Sequence, residues 1–342
     1  MLDRIVSDAE VSTFFLNTAN WKVSEFVDEL HNALKRYSGN PSIIPPRIVG
    51  RIPSGEAGYL YMPVIDDVYS GVKTLGFNQK SNLGFVGSIT VLQPSTGLLK
   101  GVCEAKQITA IRTALVSCVG LSNQLSRFRN ETTINCTVFG TGLQAFWHIF
   151  CCLRLFHEKS NVSKFNVSIL YRSSAMNLSC FDDMLTSENI DVSFDQISLR
   201  DKVKLGLAID KSQVIFSCVP STEPHLNYDL LANSSCEVLH TFISLIGSYK
   251  PFMHECDTKL VRAYKEQKVP ILVDSKEHTL LEAGELIDAK IEEEGLIEIG
   301  KLCENSLESI TLNENGRTVS LCKIVGLAIM DLCIAKKFMD GL

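Results

Sequence analysis

Several signatures are missing from this 342-residue chain, and each absence removes a class of function. There is no Lys/Arg-rich run of the kind that grips a phosphate backbone, and the formal net charge is -6, so a nucleic-acid partner is not expected. Every apolar stretch is interrupted by polar residues well short of bilayer-spanning length, so no membrane segment is expected. The first residues, Met1-Leu2-Asp3-Arg4, place an acid where a secretory leader carries basic and then apolar residues, and the expected location is the cytoplasm. None of the 12 cysteines stands in a C-x-x-C spacing, and the one close pair, Cys151-Cys152, is adjacent. That pattern offers no metal site and no disulfide framework, so reduced, mostly buried thiols are expected. Internal repeats and low-complexity segments are also absent.

What is present is an ordinary globular balance, 45% hydrophobic and 21% charged, on a chain long enough for two cores. From Ser7 to about Arg36 the apolar residues Phe15, Trp21, Phe26, Val27, Leu30 and Leu34 recur at roughly helical spacing. Pro41 to Pro46 breaks that pattern. Between Arg47 and Lys100 short runs divided by Gly and Pro, such as Gly71-Val72-Lys73-Thr74-Leu75 and Ser88-Ile89-Thr90-Val91-Leu92, predict antiparallel strands. A helix is expected next, with Thr109 as its cap and Ile111, Ala114, Leu115 and Cys118 on its apolar face. From Thr132 strand and helix alternate, with strands expected at 134–139, 165–171, 214–219, 238–246 and 271–274. Such alternation predicts a parallel sheet covered on both faces. The tail, Thr318 to Met339, reads as a final helix.

The most informative segment is Gly140-Thr141-Gly142-Leu143-Gln144-Ala145, which follows a strand and opens a helix. The first glycine permits a tight turn, the second lets backbone approach a pyrophosphate, and the small third residue lets helix pack on strand. The free N–H groups of the helix start then face phosphate. Gly140, Thr141, Gly142, Leu143 and Gln144 are therefore the expected cofactor-binding residues. The second strand ends in Tyr171-Arg172-Ser173-Ser174, where NAD-binding chains usually place an acid for the ribose hydroxyls. Arg172 and Ser173 suit a phosphate dianion instead, so NADP(H) is expected ahead of NAD(H). The plain alternative for Arg172 is a solvated loop residue. Ahead of this domain stand Arg47, Lys73 and Arg112. Singly, Arg112 reads as an exposed helix residue and Lys73 as an edge-strand gatekeeper. Together, beside a nucleotide domain, they suggest a site for a small carboxylate.

With these residues in view, the chain resembles the ornithine cyclodeaminase/μ-crystallin family over nearly its whole length. The likeness is carried by Pro46-Arg47, Tyr61-Met62-Pro63, Gly71-Val72-Lys73-Thr74, Pro94-Ser95-Thr96-Gly97, Ile108 to Ala114, the glycine turn, Ser221-Thr222-Glu223-Pro224, Gly247-Ser248 with Pro251 and Glu255, Val273-Asp274-Ser275, and Lys323 to Asp331. The resemblance implies an α/β fold: a Rossmann-type parallel-sheet domain, expected over 131–314, plus a second α+β domain from both chain ends, 1–130 and 315–342, for substrate binding and homodimerisation. It implies imine or amino-acid chemistry at a nicotinamide, with Arg47, Lys73 and Arg112 at the substrate-carboxylate positions and Lys73 as the catalytic residue.

The sequence also departs from the family pattern. Tyr249 stands where cyclodeaminases carry an acid–base Asp, Met253 where they carry a Lys, and Val219 where a Thr is usual near the cofactor. The ketimine reductases of the family also lack that Asp, and the chain resembles them more closely around Ser221-Thr222-Glu223-Pro224. The expected function is an NAD(P)H-dependent reductase or dehydrogenase acting on a small cyclic imino acid. The alternatives are an ornithine cyclodeaminase-like lyase and a non-enzymatic binder of NADP(H) or another small ligand.

Overall fold

A capping box starts the first helix: Ser7 Oγ accepts from Glu10 N at 3.3 Å, and the Glu10 carboxylate accepts from Ser7 N at 2.8 Å. The computed structural model describes residues 4–78, 80, 84–160, 162–232, 238–303 and 308–341. Strand β1 (Arg4–Val6) leads into α1 (Asp8–Leu16), and α2 (Val23–Gly39) follows. The helical pattern from Ser7 to Arg36 is thus two helices. The Asn17 side chain accepts from Ala19 N at 3.2 Å and turns the chain, and Trp21 is extended. Next come β2 (Ile48–Arg51), β3 (Ala57–Ile65), β4 (Ser70–Asn78), β5 (Phe85–Leu92) and β6 (Leu99–Glu104). They form a sheet in the order β1-β6-β5-β4-β3-β2, antiparallel except for β1 beside β6.

Helix α3 (Ala105–Ser122) starts directly from β6, four residues ahead of the expected Thr109 cap. Its first turn is capped from far away, by Asp8 Oδ1 accepting from Gln107 N at 2.7 Å, which no local pattern reveals. Thr109 lies inside the helix and its hydroxyl donates to the Ala105 carbonyl at 2.6 Å.

The alternating region follows as β7 (Thr133–Phe139), α4 (Leu143–Lys159), β8 (Lys164–Tyr171), α5 (Asp182–Ser187), β9 (Asp191–Ser198), α6 (Lys202–Asp210), β10 (Val214–Ser217), α7 (Asp229–Ala232), β11 (His240–Leu245), α8 (Thr258–Gln267), β12 (Ile271–Val273), α9 (Lys276–Glu282), α10 (Gly284–Asp288), β13 (Leu296–Glu298), β14 (Leu312–Glu314) and β15 (Arg317–Lys323). The sheet runs β13-β12-β15-β11-β10-β7-β8-β9, all parallel, with β14 antiparallel on β15. Strand order reverses between β7 and β10. That is the switch point where doubly wound sheets leave a crevice at the strands' carboxyl ends. Its central strands are buried on both faces: every residue of β10 (Val-Ile-Phe-Ser) and of β11 is buried, His240, Thr241 and Ser244 included.

The tail departs from expectation. Residues 317–323 are a strand, not the start of a helix, because Val319-Ser320-Leu321-Cys322 fills the slot between β11 and β12 with every side chain buried. Gly326, at φ +102°, breaks the chain before α11 (Ala328–Asp340) begins. Helix α11 packs on α2, β3, β4 and β5. Contacts group the chain into two compact units, Met1–Thr113 with Gly326–Leu342, and Ala114–Val325. The sequence alone places these boundaries at 130/131 and 314/315. The described cysteines are free thiols, mostly buried, and no described helix is long and apolar enough to cross a membrane.

Candidate active site

In the sheet unit the glycine turn joins β7 to α4. Gly140 has φ +113°, and a Cβ there would stand 2.8 Å from Val219 Cγ1, so both backbone and space require glycine. Gly142 is the N-cap of α4. It has no side-chain cap, and a Cβ built on it meets nothing within 4 Å. The first N–H groups of this helix, on Leu143, Gln144 and Ala145, are therefore left to a ligand or to water. Gln144 Oε1 is buried without a hydrogen-bond partner. Open space and uncapped amides fit a dinucleotide pyrophosphate, whereas the Gln144 oxygen, an acceptor, suits a hydroxyl donor and not a phosphate oxygen. At the end of the neighbouring strand, Arg172 and Ser173 are exposed, and Arg172 makes no ion pair among the described residues.

Across the switch point a buried polar cluster holds the carboxyl ends of β10, β11 and β15. Lys323 Nζ donates to Glu255 Oε2 at 2.8 Å and lies 3.6 Å from Glu285 Oε1. Ser248 donates to Glu255 through its backbone N–H at 2.8 Å and to Glu285 through its hydroxyl at 2.7 Å. Glu255 also accepts from Ser217 Oγ and from Ile246 N. All three charged groups are fully buried. Burial pushes the Glu255 carboxyl up, but the Lys323 charge and hydrogen bond outweigh it and hold Glu255 below its ordinary range. Glu285, farther from the ammonium, is left raised by burial. Burial lowers Lys323, and its two carboxylates more than restore it. The cluster pins Gly247-Ser248 beside Val219, whose carbonyl oxygen would be 1.9 Å from a Cβ at Gly247. Tyr249 and Phe252 beyond it are exposed, with Lys250 lying 5.6 and 5.7 Å from their ring centroids, while Met253 is buried.

In the other unit, Lys73 and Arg112 are buried rather than solvated, against the plain readings of each. Lys73 Nζ donates to Thr109 Oγ1 at 2.7 Å and to Asp331 Oδ1 at 2.6 Å, and Arg112 Nε donates to the same Oδ1 at 3.2 Å. Burial lowers the Lys73 ammonium and Asp331 raises it, while Arg112 lowers it again, leaving it at about 8. Asp331 sits below its ordinary range: burial pushes it up, and Arg112 and Lys73 outweigh that. Arg47 is exposed just ahead of β2, and the bonds joining Lys73, Thr109, Arg112 and Asp331 do not include it. Sequence reasoning missed Asp331, Glu255, Glu285 and Lys323 as site-forming charges. A signal existed: Asp331 interrupts the run Ile329-Met330, Leu332-Cys333-Ile334, all buried, and an acid on an apolar face needs a partner.

The pattern of one family covers residues 16–342 of this sequence, that of the ornithine cyclodeaminase/mu-crystallin family. The chain belongs to that family. An uncharacterized protein of Saccharomyces cerevisiae is 43% identical over 99% of this chain and 97% of its own. Delta(1)-pyrroline-2-carboxylate reductase of Bacillus cereus is 23% identical over 92% of this chain and 90% of its own. Among solved structures, the Thermococcus litoralis Delta(1)-pyrroline-2-carboxylate reductase in complex with NADH and L-proline superposes with a TM-score of 0.68 at 22% identity, covering 98% of this chain and 96% of that one. That likeness shows the two-domain fold with its Rossmann-like sheet.

Lys323→Met tests the buried cluster, because it leaves Glu255 and Glu285 without their cation. Removing one partner of a buried pair costs roughly 3–5 kcal/mol, to be read by urea denaturation near neutral pH. In the native protein, Glu255 contributes stability above its unfolded value and loses it in acid. Lys323 contributes below its unfolded value and loses it in alkali. In the variant, burial raises both carboxyls and acid neutralises them, so the deficit against wild type should narrow as pH falls. A deficit independent of pH would mean that lost packing, not stranded charge, sets the cost.

Proposed function

We propose that the protein is an NAD(P)H-dependent reductase of small cyclic imino acids. The observation that carries this reading is the buried cluster of Lys73, Arg112 and Asp331: two cations share one carboxylate, so the group keeps a net positive charge for an incoming carboxylate. The reductase name borne by relatives of similar length supports it. When bound at the glycine turn, the reduced nicotinamide supplies a hydride. Arg112, with Arg47, holds the substrate carboxylate, and Arg forks suit that geometry. Lys73 passes a proton from its ammonium to the imine nitrogen, which leaves a secondary amine and a neutral lysine that solvent reprotonates. Orientation and charge are the protein's contribution.

The reading has a pH signature. Reduction needs Lys73 protonated, and its ammonium titrates at about 8, so kcat/KM for reduction should fall as pH rises through that value. Arg112→Leu should act strongly on KM, because it removes an anchor used in ground and transition states alike, and Lys73→Met should act more on kcat. Assays on a panel of cyclic imino acids with NADPH and NADH decide the matter. Inactivity on all of them together with tight NADPH binding would favour a non-enzymatic binder, the reading that the Tyr249, Met253 and Val219 departures favour. Ornithine should yield no proline, since the phenol of Tyr249 does not replace the carboxylate of an acid–base aspartate.

For the cofactor we propose NADP(H) ahead of NAD(H), with Arg172 and Ser173 on the adenosine phosphate. Arg172→Ala should weaken NADPH binding by roughly 1.5–3 kcal/mol, the scale of a hydrogen bond to a charged group, and leave NADH nearly unchanged. Equal losses by calorimetry, or a wild type preferring NADH, would count against the phosphate. Gly142→Asp should abolish binding of both cofactors in a folded protein, because its side chain enters open space and sets a carboxylate against the pyrophosphate.

The reading extends to a homodimer. Strand β2 is an edge strand exposed along its length, with Ile48 64% and Val49 63% accessible and Tyr59 and Tyr61 stacked on the neighbouring strand. A second copy of the chain would cover this apolar surface. Val49→Lys should turn a dimer into a monomer by light scattering, and a monomeric wild type would refute the dimer.

A further inference from the structure

Lys73 has three N–H donors, of which Thr109 and Asp331 take two. The third has no acceptor among the described residues and is the one available for transfer. Arg112 gives its Nε to Asp331, its Nη1 donates to the Met330 sulfur at 3.3 Å, and a Cβ at Gly326 would stand 3.0 Å from its Nη2. The Nη1/Nη2 fork is thereby left without an oxygen acceptor among the described residues. Both arrangements are set by one atom, Asp331 Oδ1, on a helix that the chain reaches only after completing the other unit. Its second oxygen, Oδ2, is buried and makes no hydrogen bond among the described residues.

We propose that Asp331 is the positioning residue of the reaction: its Oδ1 fixes the Lys73 ammonium with one proton free for transfer and takes Arg112 side-on, so that the terminal fork of the guanidinium faces the substrate carboxylate. The inference rests on the reductase reading and assigns it a residue that never touches substrate. The arrangement goes beyond neutralising one cation: Oδ1 is shared by Lys73 and Arg112, with the Thr109 hydroxyl at 3.3 Å, while Oδ2 makes no hydrogen bond among the described residues. The charged groups acting on Lys73 are Asp331 from α11 and Arg112 from α3. From β3 and β5 its register partners are Met62 and Ile89, which carry no charge. Among the described residues, Asp331 is thus the carboxylate that favours the ammonium against burial and a neighbouring guanidinium. Gly326 serves the same arrangement: any side chain there meets the guanidinium, and its φ of +102° disfavours other residues.

Asp331→Asn is a charge-specific test. The amide oxygen keeps the acceptor at Oδ1, and the amide nitrogen replaces an oxygen that makes no bond. The titration of Lys73 is followed by NMR of ε-13C-labelled lysine, with the signal assigned by its loss in Lys73→Met. Loss of a contacting opposite charge should lower the Lys73 midpoint by roughly 1–3 units, and the alkaline limb of kcat/KM should move down with it. In the Lys73→Met background the same change should alter kcat little, because Asp331 acts through the lysine. An unmoved lysine titration in a folded variant, or a loss of activity equal at every pH, reduces Asp331 to a structural role and overturns the inference. The lysine titration needs no substrate. A shift in it while the wild type reduces no imine would sink the reductase reading alone, and no shift while imines are reduced would sink this inference alone. Should the Asn variant not fold, Asp331→Glu carries the test: it keeps the charge but displaces it, so Lys73 should titrate as in wild type while kcat falls, and full kcat with the displaced carboxylate overturns the positioning role.

Discussion

Lys73 and Asp331 are 258 residues apart in the chain and 2.6 Å apart in the fold, and that contact constrains the unit it closes. A buried ammonium and a buried carboxylate each lose several kcal/mol of hydration, and their attraction roughly repays the pair only when geometry is good. The pair therefore adds little net stability over a hydrophobic pair of the same size. What it adds is intolerance of error. A register slip of one residue in β4 would carry Lys73 to the opposite face of the sheet and strand Asp331 in an apolar helix face. The surrounding apolar residues of α11, such as Ile329, Leu332 and Ile334, supply the burial free energy, and the ion pair selects one docking of that helix among those the apolar face allows.

The sheet unit repeats the constraint at the carboxyl edge of its strands. Glu255 is shared by Lys323, Ser248, Ser217 and Ile246, and so ties β10, β11 and β15 to one loop. Val219 packs against two glycines at once, Gly140 in the turn before α4 and Gly247 after β11. The Gly140 approach is made by the Val219 side chain and the Gly247 approach by its carbonyl, so both glycines leave room for the chain at 219.

What the sequence revealed follows the range of the interactions concerned. The glycine turn was legible because everything it needs is within ten residues: a β-branched strand, two glycines and a helix start. The punctuated strands around Lys73 were legible for the same reason. Strand β15 was not, because a short buried apolar run has no periodicity of its own and its strand character comes from β11 and β12 on either side. Strand β9 went unread because Asp191-Val192-Ser193-Phe194-Asp195 is half-exposed and polar on an edge. Lys73 and Arg112 were picked out by type and family resemblance. Their burial and their common partner were not visible, because the partner lies more than two hundred residues away.

The two buried lysines show how environment divides structural from chemical duty. Lys73 and Lys323 are both removed from water, and burial alone would depress both. Lys323 has two carboxylates, Glu255 and Glu285, and holds its proton more tightly than a free lysine. Lys73 has one carboxylate, already shared with Arg112, and ends at about 8. A proton held more firmly than in water cannot be offered to an imine near neutrality, whereas one held with an affinity near ambient pH can be given up and recovered in each cycle. The difference comes from how many carboxylates face the ammonium and how many cations share them, not from depth of burial. On that count Lys323 is fitted to hold strands together, and Lys73 is the lysine to which the proposed reductase reading gives the proton transfer.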